Sequence, residues 1–317
     1  MNNSKYALDK LLFKEDEYVY VLFDSTKNED VHNQLLFEEP NYIELYDVEK
    51  NPNFESITPF IIELEKDSDF TKWVFQTCQY QEIGFFFSSP SNDLEALKRH
   101  FDIFTQVQKF NDTRKFYFNF YNPISLSLWL DVMSKEKRLE FFMMIHTIVV
   151  ENEFYDGFKR LTLDIEGELY LQNFKDNADE TGIPLEVEDA HTGTMYASTI
   201  QKPWIFSLEE NNVMSKISRE NFLIRIFKKI WKYESIQERY SREILWKQFH
   251  IWAENFIKLG IERKQDLALF LISISMYENL WKEHQKTIFA ILHNRDDEAR
   301  VRYMKIRDIV NKGDNNG

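Results

Sequence analysis

The stretch from Ile83 to Leu130 constrains the fold of this chain more than any other. It opens with Ile-Gly-Phe-Phe-Phe-Ser-Ser at Ile83, continues with Leu-Glu-Ala-Leu-Lys-Arg-His-Phe at Leu94, and ends with Lys-Phe-Tyr-Phe-Asn-Phe-Tyr-Asn-Pro-Ile-Ser-Leu at Lys115. An apolar aromatic run bounded by Gly and Ser predicts a strand. Leu94, Leu97, Phe101 and Phe104 recur at spacings of 3, 4 and 3 and predict one buried face of a helix. Ser91 or Asn92 is expected as its N-cap, with Asn92 and Glu95 forming a capping box. A chain that alternates strand and helix over such short gaps hides both apolar surfaces by laying helices on a sheet.

The same alternation extends upstream to Tyr18. Short β-rich runs at Tyr18–Phe23, Tyr42–Tyr46, Phe60–Leu64, Ile83–Phe87 and Lys115–Phe120 are separated by helical segments, which predicts an N-terminal α/β lobe with a mixed sheet over residues 1–146. Residues 147–206 read as a bridging β-hairpin around Glu166-Gly167, followed by an acidic connector from Lys175 to Gly193. Residues 207–317 read as wholly helical. Ser218 is the expected N-cap of a helix carrying Phe222, Leu223, Ile226, Phe227, Ile230 and Trp231. Ser235 and Glu238 are the expected capping box of a second helix, with Ile244, Leu245, Phe249, Trp252, Phe256 and Leu259 facing inward and Gly260 ending it. The fold class expected is therefore α+β: a mixed α/β lobe, a central hairpin with an acidic linker, and an all-helical lobe.

Charge is distributed unevenly along the 317 residues. Residues 1–146 hold 15 Lys and Arg against 25 Asp and Glu, residues 147–193 hold 3 against 12, and residues 216–310 hold 19 against 13. An acidic front half repels phosphate backbones, so nucleic acid is not an expected partner. The apolar run Ala268–Met276 falls well short of the roughly 20 residues that span a bilayer, and no membrane insertion is expected. With one cysteine, Cys78, and no leader-like opening segment, a cytoplasmic location is the expectation.

Motifs of catalysis are sparse. The seven histidines include no pair at three- or four-residue spacing, there is no second cysteine for zinc, and the eight glycines form no phosphate-cradling loop. Ser88-Ser89-Pro90-Ser91 reads as a strand-to-helix turn, not as a nucleophile elbow. The expectation is no catalytic, metal or cofactor residue and no cofactor. An uncharacterised hydrolase using His100 or His146 with nearby carboxylates is the catalytic alternative. For protein binding, Trp204 and Trp246 are candidate interface anchors, since Trp is enriched at binding hot spots. Lys228, Lys229 and Lys232 are candidate rim charges of the basic helical lobe.

Five features in collinear order carry a resemblance to a known family. These are Tyr18–Asp24 as a first strand, Thr58–Leu64 as a Pro-led strand, Phe70–Trp73 as a Trp-bearing helix, the aromatic strand and Leu94 helix, and Phe120-Tyr121-Asn122-Pro123 at a strand end. Over roughly residues 18–146 the chain resembles the adaptor-chaperone family of bacterial type VI secretion, domain of unknown function 4123. Asn122 stands where that family more often has Asp, and Ile124 where it usually has Arg. The resemblance implies a non-enzymatic adaptor that binds a cognate secreted effector and helps load it onto the VgrG spike. A cytoplasmic immunity protein that neutralises a toxin is the alternative reading.

Overall fold

A computed structural model describes residues 8–9, 11–14, 16–48, 52–77, 81–152, 157–175 and 204–314. Cys78 and nearly all of the acidic connector lie outside the described residues. The chain divides into two compact units, Met1–Ile217 and Ser218–Gly317. The first is α/β and the second is helical, as the fold class required.

The first unit is built on a seven-stranded sheet in the order β2-β3-β1-β4-β7-β8-β9. Its strands are β1 (Tyr18–Phe23), β2 (Tyr42–Glu44), β3 (Phe60–Leu64), β4 (Gly84–Ser89), β7 (Thr147–Asn152), β8 (Gly157–Leu163) and β9 (Leu169–Lys175). Every neighbouring pair in it is antiparallel, so the expected mixed sheet is corrected. Strand-helix alternation does not reveal at which end of the sheet each connection returns, and that end sets strand direction. The hairpin β8–β9 is likewise not a bridge. It pairs onto β7, which pairs onto β4, and so extends the sheet of the first unit.

β4 is the aromatic run, and it is buried on both faces. Phe85 and Phe87 join Tyr20 and Leu22 in a core covered by α3 (Leu94–Thr105), α4 (Pro123–Val132) and α5 (Lys135–Phe142). Phe86 points the other way with Val19, Val21 and Phe23, into a core shared with α1 (Asp30–Glu38) and α2 (Asp69–Thr77). Central position explains an unbroken apolar run where a half-buried strand would alternate. Gly84 opens β4 at φ +137°, and a Cβ there would stand 1.8 Å from the Leu22 carbonyl oxygen. No side chain fits that approach.

The N-cap of α3 is Asp93, whose carboxylate accepts from the Ala96 N–H at 2.9 Å; Ser91 and Asn92 precede the cap. In α4 the Asn122 side-chain oxygen accepts from the Ser125 N–H at 3.0 Å, with Pro123 at the first helical position. Capping needs an acceptor oxygen, which Asn supplies as Asp would. A second, three-stranded sheet in the order β10-β5-β6 joins β5 (Gln106–Gln108), β6 (Lys115–Tyr117) and β10 (Trp204–Ile205). β10 and β5 form the only parallel pair among the described strands.

The helix α6 (Leu208–Trp231) begins in the first unit and continues into the second. It starts at a capping box: the Glu210 N–H donates to Ser207 Oγ at 3.1 Å, and the Ser207 N–H donates to Glu210 Oε2 at 2.6 Å. Ser218, the expected N-cap, is therefore interior to α6. Residues 208–217 are mostly polar, which hid the first turns from a search for apolar periodicity. In the second unit Glu234–Gln237 forms only a short helix, α7, and the expected Ser235 box is not a cap. The long helix α8 (Arg242–Lys258) is capped by Ser241, which accepts from the Ile244 N–H at 3.3 Å. Gly260 ends it at φ +79°, with Gly260 N–H bonded to the Ile257 carbonyl and Ile261 N–H to that of Phe256. That is a Schellman ending, as expected of this glycine. The helices α9 (Lys264–Met276), α10 (Glu278–Glu283), α11 (Gln285–His293) and α12 (Ala299–Asp314) complete the unit. Buried Arg302 of α12 donates to the carbonyls of Leu259 at 2.9 Å and Leu292 at 2.7 Å, closing the ends of α8 and α11. Among the described residues no helix is long and apolar enough to cross a membrane.

Candidate functional site

The helical unit carries an open apolar groove of about 740 Å³. Its floor comes from α8 and α10–α11 and includes Trp252, Phe256, Trp281, Ile288 and Leu292. Phe256 packs on Trp281 with ring centroids 5.9 Å apart, and Trp281 Nε1 donates to Ser273 Oγ at 3.2 Å, so the floor is held from behind. The polar indole edge is thus satisfied inside the unit. Phe289, 58% exposed, forms one lip. Its ring lies 3.8 Å from that of His293, whose Nδ1 lies 2.9 Å from the Phe289 carbonyl oxygen.

The opposite wall is the face of α8 that carries Gln248, Asn255 and Lys258, and Ile244 and Ile251 share that stripe at spacings of 4, 3, 4 and 3 without lining the groove. Gln248, Asn255 and Lys258 line the groove, and Ile244 and Ile251 are 60% and 51% exposed on the same stripe. The sequence reading placed Ile244 inward. In α8 the inward position at that turn belongs to Leu245, since Leu245, Phe249, Trp252 and Phe256 already complete a buried face. Around the rim stand Lys258, Lys282, His293 and Glu278. Lys282 pairs with Glu278 at 2.9 Å, and the Tyr240 hydroxyl donates to the same carboxylate.

Trp204 and Trp246, expected as anchors of an interface, are both buried. Trp204 is carried by β10 into the first unit's core, 4.8 Å from the Phe104 ring and 6.2 Å from Trp129, with the Lys137 ammonium over its face. Trp246 packs edge-on against Phe227 at 5.2 Å and against His250 at 4.5 Å. Both are corrected to core residues, since each sits on the apolar face of its element. Of the three lysines, Lys229 and Lys232 are exposed near the end of α6 and Lys228 is half-buried; none lines the groove. The groove residues were missed because its two sides, Asn255 on α8 and Phe289 on α11, lie far apart in sequence.

The two histidines of the catalytic alternative have different surroundings. His100 is enclosed by Phe101, Phe104 and Phe141, and its Nε2–H donates to the Phe141 carbonyl at 2.8 Å. Burial pulls its pKa down to about 4, against a smaller upward pull from that hydrogen bond. An imidazole so enclosed meets no substrate. His146 Nδ1 lies 3.2 Å from Glu17 Oε1. Burial pushes the Glu17 carboxyl up, but the hydrogen bond with His146 and neighbouring charge hold it below the usual value. Among the described residues no three His, Cys, Asp or Glu side chains gather to hold a metal ion.

The model of one family, described as a domain of unknown function (DUF4123), matches residues 19–140. That span lies within the α/β unit, from β1 through most of α5, and does not reach the groove. No curated protein and no solved structure matches the chain.

Proposed function

We propose that this chain is a non-enzymatic adaptor that binds a secreted effector of type VI secretion and helps load it onto the VgrG spike. The observation that carries this reading is the family match over residues 19–140, because that family is known for adaptors of type VI effectors. The rest of the molecule suits such work. An exposed apolar groove walled by two helices is a protein-binding shape, and its rim carries Lys258 and Lys282 against Glu278. A specific complex buries on the order of 1,200–2,000 Å², so the groove supplies part of the surface needed. Lys229 and Lys232 add to the attraction of an acidic partner over distance, acting on association rate.

The test is deletion of the gene in its native host. An adaptor leaves the cell healthy but its effector unexported, whereas loss of an immunity protein poisons the cell. Normal export and normal growth together would sink both readings.

A further inference from the structure

We infer that the groove between α8 and α11 receives one amphipathic helix of the effector, with an apolar stripe inward and acidic residues on its flanks; this rests on the adaptor reading above. Shape is the first argument. A trough walled by two helices and floored by aromatic side chains suits a helix whose anchors recur at i, i+3 or i+4, and i+7. The α8 wall from Gln248 to Leu259 is about 16 Å long at ~1.5 Å per residue, enough for roughly three turns of a docked helix. Exposed Phe289 lines the cavity from α11, and exposed Ile244 and Ile251 continue the α8 stripe of Gln248, Asn255 and Lys258 outside its lining. A small molecule seated in the cavity would leave Ile244 and Ile251 in water, whereas a helix laid along the α8 stripe covers them.

Charge selects among helices. Residues 216–310 carry 19 cations against 13 anions. At the rim, the carboxylate of Glu278 is already engaged by Lys282 and Tyr240. Lys258, exposed at the last turn of α8, and His293, exposed at that of α11, stand at one end of the trough. A helix with Asp or Glu beside its apolar stripe meets the Lys258 ammonium, and one flanked by Lys or Arg is repelled by it.

The experiment uses the full chain and the effector encoded beside it. A photo-crosslinking phenylalanine analogue is placed at Phe289 or Ile251, both exposed, and the linked peptide is identified by mass spectrometry. Affinity is measured in parallel for Phe289→Asp, Ile251→Asp and Lys258→Glu. The expected result is a crosslink from both positions to one acid-flanked helical segment, with at least a tenfold loss of affinity for either Asp variant. Lys258→Glu should give a smaller loss that disappears at high salt. A complex that forms with wild-type affinity in all three variants, with no crosslink to the effector, overturns the groove assignment and leaves the adaptor reading intact. Crosslinks to a second copy of this chain also overturn it. Absence of any complex, together with normal export in the deletion strain, removes the adaptor reading and the groove assignment with it.

Discussion

Replacing Glu210 with Ala should destabilise the first unit by about 3–5 kcal/mol, the range for removing one partner of a buried ion pair. The side chain is wholly buried and each of its oxygens is used. Oε1 accepts from Trp129 Nε1 at 3.2 Å; Oε2 accepts from the Ser207 N–H at 2.6 Å and takes an ion pair from Lys137. Loss of the carboxylate strands an indole N–H, worth about 1–3 kcal/mol, and an N-terminal amide of α6, worth about 1 kcal/mol. Lys137 is less costly. Its side chain is 24% exposed and its ammonium keeps the Ile205 carbonyl at 2.8 Å, which places the total toward the lower end. Glu210→Gln retains an acceptor and the side-chain shape and should cost about 1.5–3 kcal/mol, the worth of the charge-assisted bonds. Urea unfolding with hydrogen exchange at residues 207–217 is the assay, because exchange isolates this unit from the helical one. A further cycle with Lys137→Met measures the coupling. A loss under about 1 kcal/mol for Glu210→Ala, or a zero coupling energy, would refute the view that this carboxylate fastens the start of α6.

Leu97→Ala should cost about 2–5 kcal/mol in urea unfolding, since Leu97 is fully buried between α3 and the sheet; a change under about 0.5 kcal/mol would contradict that packing. Gly84→Ala should leave little folded protein by circular dichroism, because the added Cβ meets the Leu22 carbonyl in the central strand pair; wild-type melting would show that β1 and β4 separate freely. His100 makes stability depend on pH. Its folded pKa of about 4 lies below the ordinary 6.5, so the unfolded chain binds the proton first as pH falls. Its contribution is complete above about pH 6.5 and is lost progressively down to about pH 4, by a total on the order of 3 kcal/mol. Subtracting the pH profile of His100→Leu from that of the wild type should expose this window; superimposable slopes would count against a neutral buried imidazole.

How much was legible in the sequence depended on how local each determinant is. Leu94, Leu97, Phe101 and Phe104 declared a helix because their spacing alone fixes one face. Phe85-Phe86-Phe87 declared a strand, and Gly260 declared a helix end because few residues tolerate a positive φ. The features that failed are those in which distant segments decide. Ser218 looked like a beginning only because the polar turns from Leu208 to Ile217 gain their stability from Glu210 meeting Trp129 and Lys137, residues some 70 to 80 positions earlier. Trp204 looked like an anchor until β10 paired beside β5 and carried it into the core.

The groove shows the same division most clearly. Sequence by itself determined that residues 207 onward are helical, basic and amphipathic, because helical periodicity and charge are properties of neighbouring residues. It could not determine which exposed apolar groups would be neighbours. Asn255 and Phe289 border one groove only because α8 and α11 pack around Trp281, and the cost of leaving Phe289 exposed becomes visible only when the buried face of each helix is already known. Side-chain spacing fixes what a helix can present; tertiary packing chooses which of those faces is consumed in folding and which is left for a partner.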